Sequence, residues 1–155
     1  MERVRPAEGD DLARCAELLA EALELIVDQR GGELLVGGGD GSGRRPAADL
    51  VARWGSDRRW RVLAGLIDDV VVGVAAGHLP GPDEPAGRID CCYVEPAARQ
   101  VGVGSALLAG LLDWFAGEGC QDVDAAALPG DRGSKQLLES AGFKARLLVL
   151  HRRLG

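Results

Sequence analysis

The chain has 155 residues, 46% of them hydrophobic, and a net charge of −6, values typical of one globular domain over residues 1–155. Met1 to Pro6 lack the apolar core of a signal peptide, and no segment reaches the roughly 20 apolar residues of a membrane span. No basic tract indicates nucleic-acid binding. We therefore expect a cytoplasmic protein with neither a membrane nor a nucleic-acid partner.

The four cysteines are expected to be reduced core residues. Cys15, Cys91, Cys92 and Cys120 lack the C-x-x-C spacing of zinc sites. Cys91 and Cys92 are neighbours in a predicted strand, where successive side chains point to opposite faces. No metal site is expected.

In the N-terminal half, a short strand begins at Val4 and a helix follows. Apolar residues recur at helical spacing from Leu12 to Ile26, and this helix ends near residue 28, with Asp10 or Asp11 as its cap. The segment Gly31 to Gly43 contains seven glycines around an apolar patch at 34–36. Because glycine loses the most backbone entropy on ordering, this segment is predicted to be a mobile loop. A short helix is predicted over 46–54.

Two strands, 60–67 and 70–78, flank Asp68-Asp69, which is a plausible hairpin turn. A loop rich in proline and glycine covers 79–87. A strand over 88–94, a helix over 105–116 and a strand over 122–127 then form a crossover that makes the two strands parallel. A last strand is predicted over 145–153, which gives a mixed α/β layer fold.

The turn from Arg99 to Gly104, Arg-Gln-Val-Gly-Val-Gly, lies between a strand and a helix. Backbone N–H groups and the positive end of the helix dipole meet there, which predicts a site for phosphate or pyrophosphate. A Rossmann fingerprint would need glycine where Leu107 stands, and the Gly-Lys-Ser/Thr triplet of NTPase loops does not occur.

The run from Val94 to Leu108 resembles the acyl-CoA loop of the GNAT N-acetyltransferase superfamily. That loop has Arg or Gln, two residues, Gly, one residue, and Gly or Ala. It follows a strand ending in Val-x-Pro and precedes a helix with paired leucines. A second block, Asp131 to Phe143, resembles the family's last helix, which usually ends in Gly-Phe.

The resemblance implies a mixed, centrally splayed sheet with helices on both faces. It implies acetyl-CoA as the donor and an amine-bearing small molecule or protein as the acceptor. Since the family's acceptor pocket is walled by the segment after the first helix, Gly31 to Gly43 is either an acceptor lid or a disordered linker.

Two groups of residues are predicted to bind the donor. Backbone N–H groups of the turn would hold the pyrophosphate, with positive charge from Arg99. The residues of this turn are Arg99, Gln100, Val101, Gly102, Val103, Gly104 and Ser105. In the family, main-chain groups of the preceding strand, here Cys92, Tyr93 and Val94, pair with the pantetheine arm. Asp131 and Ser134 stand where the family often has Asn and a small residue near the pantetheine.

A base is useful because an alkylamine of pKa about 10.4 is neutral in fewer than roughly one molecule per thousand at pH 7. Family members that use a carboxylate carry it where this chain has Arg88 and Ala86. Asp90 is the nearest acid and the predicted catalytic residue, with Glu95 as the alternative. Strand alternation predicts that Asp90 shares a face with Arg88, Cys92 and Val94, and that Tyr93 points away from it. His78 and His151 are predicted to be surface or capping residues.

The tyrosine that protonates the leaving thiolate in many family members is replaced by Leu138, and Tyr93 is the only substitute. The main interpretation is an acetyl-CoA-dependent N-acetyltransferase that works by direct attack of the amine. The alternative is a catalytically impaired acyl-CoA-binding sensor or subunit, and O- or S-acyl transfer is a third option. The last strand would leave a sheet edge that needs a cover, which raises the option of a homodimer.

Overall fold

The computed structural model describes residues 1–36 and 45–155. The helices and strands are, in chain order, β1 (Glu2–Pro6), α1 (Asp11–Val27), α2 (Gly32–Val36), α3 (Ala47–Ser56), β2 (Trp60–Ile67), β3 (Val70–His78), β4 (Gly87–Val94), α4 (Val103–Gly117), β5 (Val123–Ala125) and α5 (Arg132–Ser140). The predicted hairpin is confirmed. Asp68 and Asp69 both have left-handed φ values, 48° and 68°, as a two-residue type I′ turn requires.

The strands form one open sheet in the order β1-β2-β3-β4-β5. Strands β1 to β4 pair antiparallel with one another, whereas β4 and β5 are parallel, as predicted from the crossover through α4. The β4–β5 pairing covers only Gly87 to Ile89 of β4. A cleft therefore opens beside the C-terminal half of β4, and the mixed, splayed α/β sheet is confirmed.

Each face of the sheet carries its own apolar core. Helices α1 and α3 cover one face, which we call the α1/α3 face, and α4 covers the other, the α4 face. The start of α4 packs against the cross-strand pair Gly65 and Gly73. A Cβ atom at Gly65 would lie 2.6 Å from Cγ1 of Val103, so only glycine permits this close approach. These contacts hold the glycine turn against the sheet.

Three predicted elements differ from the structure. Residues 32–36, assigned to a loop, form the short helix α2, because N–H groups of this turn bond to carbonyls three residues back, as Leu34 does to Gly31. Residues 37–43 of the predicted loop lie outside the described residues. Strand β5 has three residues rather than the six of 122–127.

The prediction of a strand over 145–153 is wrong. Residues 145–153 belong to no helix or strand, and Leu147, Leu148 and Leu150 are 81%, 82% and 92% exposed. A strand needs a ladder partner, and here this segment pairs with no described strand. No helix within residues 1–36 and 45–155 is long and apolar enough to cross a membrane.

Candidate active site

The glycine turn joins β4 to α4 through a tight, partly left-handed backbone. A 3₁₀ turn, Pro96–Ala98, comes first, and Gln100 and Gly102 then adopt φ values of 69° and 91°. Gly102 is the N-cap of α4, and its carbonyl accepts a hydrogen bond from the Ala106 N–H at 3.0 Å. Within the described residues, the N–H groups of 103–105 donate to no protein acceptor. Three donors thus lie at the positive end of a 15-residue helix, an arrangement that suits an anion.

Gly104 lets α5 pack closely against the helix start. A Cβ atom at Gly104 would lie 3.2 Å from Cδ2 of Leu137 in α5 and 3.8 Å from Cγ2 of Val94. Glycine therefore permits the close approach of α5 and β4 to the first turn of α4. Ser105 is exposed in this first turn.

Arg99 braces the turn and adds positive charge beside it. Its Nε donates to the Val94 carbonyl at 3.0 Å, and its guanidinium lies 5.5 Å from the centre of the Tyr93 ring. These contacts orient the side chain against β4. A contact of Arg99 with the pyrophosphate remains a prediction.

The C-terminal half of β4 offers a main-chain edge next to the turn. Residues 91–94 pair with β3 on one side, while the pairing with β5 has already ended at Ile89. An extended amide-bearing chain can add to such an edge as a further strand does. Burial raises the pKa of the Cys92 thiol to about 12, so Cys92 is not a thiolate nucleophile.

Asp90 occupies a special position in β4. Ala76 of β3 pairs with Cys91 and the adjacent Gly77 pairs with Ile89, so Asp90 is the extra residue of a β-bulge. Ile89 is also the last residue of β4 that pairs with β5. Asp90 therefore lies where the two parallel strands separate, at the inner end of the cleft.

The bulge changes the face to which Asp90 belongs. Oδ2 of Asp90 accepts a hydrogen bond from Nδ1 of His78 at 2.7 Å. His78 contacts Trp60 at 4.5 Å between ring centroids, and Trp60 stacks on Trp54 of α3 at 4.7 Å. Asp90 thus lies on the α1/α3 face, whereas Cys92 and Val94 pack on the α4 face. The prediction that these three share a face is wrong, because the extra residue reverses strand alternation.

The same shift corrects the prediction for Tyr93. Tyr93 packs on the α1/α3 face, and its hydroxyl donates to Oε2 of Glu21 in α1 at 3.3 Å. It therefore lies on the side of the sheet that Asp90 faces, not on the opposite side. Glu95, the alternative base, forms an ion pair with Arg14 at 2.6 Å.

His78 lies between two carboxylates. Nδ1 donates to Asp90, and Nε2 is 3.1 Å from Oε2 of Glu84. The hydrogen bond with Asp90 raises the pKa of His78, although burial opposes this. Burial raises the pKa of Asp90, and His78 only partly offsets the effect. A carboxylate with a raised pKa is a stronger proton acceptor at neutral pH.

Sequence reasoning missed this role of His78. In an unbulged ladder continued from the Ala76–Cys91 pair, Asp90 would lie opposite Gly77 and His78 opposite Ile89. The bulge places His78 opposite Arg88 and brings Asp90 within reach of it. The one sequence signal was Gly77 inside a strand, since an isolated strand glycine is typical of a bulge or a close backbone approach.

Asp131 and Ser134 form the N-terminal cap of α5. Oδ1 of Asp131 accepts from the Ser134 N–H at 3.0 Å, and Oδ2 accepts from the Ser134 hydroxyl at 2.6 Å. This cap fixes the start of α5 next to the cleft. Their contact with pantetheine remains a prediction.

Leu138 is partly buried against the core of the α4 face. Its carbonyl accepts from the Phe143 N–H at 3.0 Å, and Gly142, with φ of 95°, closes the helix as an αL cap does. Among residues 1–36 and 45–155, no group of three or more His, Cys, Asp or Glu side chains is placed to hold a metal ion.

An open α/β sheet with an anion-binding helix start at the end of a central strand defines a class of proteins that bind phosphate-bearing ligands. The model of the Acetyltransferase (GNAT) family matches residues 39–143, and the chain belongs to this family. The protein is therefore an acetyltransferase by family. No curated protein matches the chain in sequence.

Solved structures share the fold along the whole chain. A ribosomal-protein-alanine N-acetyltransferase from Brucella melitensis biovar Abortus 2308 is 22% identical, with 100% of both chains covered and a TM-score of 0.68. An aminoglycoside N-acetyltransferase in complex with CoA is 16% identical, with 99% of this chain and 95% of the other covered and a TM-score of 0.73. An aminoglycoside acetyltransferase from an uncultured soil metagenomic sample is 21% identical, with 100% and 99% covered and a TM-score of 0.69.

Proposed function

We propose that the protein transfers the acetyl group of acetyl-CoA to a primary amine by direct attack of the amine on the thioester. The observation that carries this proposal is the continuity of three features. The open N–H groups of 103–105 meet the unpaired edge of β4, and that edge ends at the Asp90 bulge. Pyrophosphate, pantetheine and thioester would occupy these features in that order.

The proton balance of the reaction assigns a role to Asp90. The amine nitrogen forms a bond with the thioester carbonyl carbon, and the carbon–sulfur bond breaks. The proton lost by the amine passes to the Asp90 carboxylate, directly or through water. The sulfur leaves as a thiolate, and since a free thiol has a pKa of about 8.5, this departure is tolerable without an acid at position 138.

His78 would act through Asp90 as a positioning residue. Its Nδ1–H donates to one carboxylate oxygen of Asp90, which leaves the other oxygen for the amine. Glu84 holds the opposite ring nitrogen and fixes the ring orientation. The carboxylates around this histidine also favour a cationic acceptor.

Membership of the family supports an amine as the acceptor. The fold neighbours are named for ribosomal-protein alanine and for aminoglycosides, both of which carry primary amines. We therefore propose a primary amine and leave the particular acceptor to a screen that contains both types.

The competing function, an impaired acyl-CoA-binding sensor or subunit, is favoured by Leu138 alone. This side chain packs against the core and offers no proton. The lack of an acid at position 138 does not affect the proposed donor site, so both functions require CoA binding at the glycine turn.

Two measurements separate the alternatives. Titration calorimetry with CoA tests the donor site, and thiol release from acetyl-CoA with a panel of alkylamines, aminoglycosides and peptides with N-terminal alanine tests transfer. CoA binding with amine-dependent thiol release supports the acetyltransferase. CoA binding without release for any amine supports the sensor, and absence of CoA binding contradicts both.

A further inference from the structure

Tyr93 and Arg99 form a contact beside the glycine turn that no step of the proposed reaction uses. The guanidinium carbon of Arg99 lies over the Tyr93 ring, 5.5 Å from its centre. At this distance the negative face of an aromatic ring attracts a cation. The Tyr93 ring is therefore a platform for the positive charge of Arg99.

Two hydrogen bonds fix the two partners of this contact. Nε of Arg99 donates to the Val94 carbonyl at 3.0 Å, and the Tyr93 hydroxyl donates to Oε2 of Glu21 in α1 at 3.3 Å. Burial raises the pKa of Tyr93 and Arg99 opposes this rise, so the ring is a neutral phenol beside a cation. An arginine that is already held in one orientation loses less conformational entropy when it binds an anion.

The contact with Tyr93 leaves the charge of Arg99 available. Arg14 of α1 is ion-paired with Glu17 at 3.0 Å and with Glu95, the residue after β4, at 2.6 Å. Arg99, by contrast, forms no salt bridge with a carboxylate of residues 1–36 and 45–155. A neutral ring orients a cation without cancelling its charge, so the guanidinium keeps its attraction for an anion.

We propose that Tyr93 is a positioning residue for the donor, because its ring holds the Arg99 guanidinium at the turn where the pyrophosphate of CoA binds. The planar fork of N–H donors of Arg99 then binds phosphate oxygens together with the open N–H groups of 103–105. This inference rests on the proposed donor site. It assigns the Tyr93 side chain a role that is separate from the role of its main chain in the edge of β4.

A purely structural role for Tyr93 is the competing explanation, since its ring also packs against the core of the α1/α3 face. The two explanations differ in how substitutions of Tyr93 and Arg99 combine. A positioning residue has no effect once the residue that it positions is gone, whereas a structural residue keeps its effect. A double-mutant cycle on CoA affinity therefore separates the two explanations.

Titration calorimetry of the full chain with CoA provides this cycle. Arg99→Gln should raise the dissociation constant of CoA about tenfold or more, because a charge-assisted contact with phosphate is lost. Tyr93→Leu should raise it about three- to fivefold, the range of an exposed cation–π contact. The double variant should bind CoA as weakly as Arg99→Gln alone. Tyr93→Phe keeps the ring face and should bind CoA as tightly as the wild type.

Arg53→Gln in α3 is the matched control for the loss of one positive charge and should leave CoA affinity unchanged. Tyr93→Met takes the place of Tyr93→Leu in the cycle if thermal unfolding shows that the leucine variant is unfolded. A wild type that does not bind CoA contradicts the proposed donor site itself. If the wild type binds CoA, two results overturn the inference: a single substitution of Tyr93 by leucine or of Arg99 by glutamine that leaves affinity unchanged, or a Tyr93→Leu effect of equal size with and without Arg99.

Discussion

Replacement of Gly102 by alanine tests whether the geometry of the turn creates the donor site. Gly102 has φ of 91° and ψ of 0°, and it is the N-cap of α4. A non-glycine residue held in left-handed backbone costs roughly 1–3 kcal/mol. The new Cβ would lie 3.1 Å from Oε1 of Glu2, whose exposed side chain can move aside, so the backbone conformation accounts for most of the cost.

We expect the Gly102→Ala variant to lose about 1–3 kcal/mol of unfolding free energy, since the backbone either stays strained or relaxes. At this chain length each kcal/mol lowers Tm by about 2–4 °C. Relaxation of the turn would tilt the N–H groups of Val103 and Gly104 away from a shared point, so CoA affinity should fall at least tenfold, about 1.4 kcal/mol. Thermal unfolding gives the first quantity, and calorimetry well below the Tm of the variant gives the second.

The matched control is the same substitution at the other end of the same helix. Gly117 ends α4, and a Cβ there would have no neighbouring atom within 4 Å. Gly117→Ala should stabilise the protein by about 0.5–1 kcal/mol and leave CoA affinity unchanged. A folded Gly102→Ala variant that binds CoA as tightly as the wild type would refute the assignment of the turn as the donor site.

Three further predictions concern the chemistry. Asp90→Asn should lower kcat/KM at neutral pH by about 10²–10⁴-fold with CoA affinity preserved, and the deficit should shrink as rising pH makes the amine neutral. Asp83→Asn, which removes the same charge from the nearby loop, should retain wild-type rates, and equal rates for both variants would remove Asp90 from the mechanism. His78→Gln should destabilise the protein most below about pH 6.5, because the folded-state pKa of His78 is raised, and this loss should fade as pH rises through that pKa. Urea unfolding from about pH 6 to about pH 9 measures the loss of unfolding free energy in this variant, and a loss that grows with pH contradicts the pairing of His78 with Asp90. Leu138→Tyr should cost about 1–3 kcal/mol by overpacking the α4 face. It should raise the transfer rate only if thiolate departure limits turnover, and pre-steady-state thiol release decides this.

Much of the fold was predictable because the signals are local. Two apolar runs and the two-residue turn between them defined the hairpin 60–78, and the turn set the register of its first pairs, up to the shift between Gly65 and Leu66. The order strand, helix, strand sufficed to predict that β4 and β5 are parallel, since a crossover helix returns the chain to the end of the sheet where the first strand began. The turn Arg99 to Gly104 was recognisable because glycine spacing, a preceding strand and a following helix lie within one short stretch of chain.

The geometry of the candidate site depended on tertiary structure. Strand alternation assumes that each residue of β4 pairs with one residue of β3. The extra residue Asp90 breaks that assumption, and nothing in the sequence of β4 itself indicates the bulge. The partnership of Asp90 with His78 was therefore not predictable from the residues of β4. Residues 145–153 illustrate the same principle: the four consecutive apolar residues 147–150 favour a strand, yet a strand forms only where another chain segment supplies the ladder. Local propensity and periodicity are properties of the sequence. The register of strands, the face of the sheet to which each side chain points and the pairing of strands are instead set by contacts between segments distant along the chain.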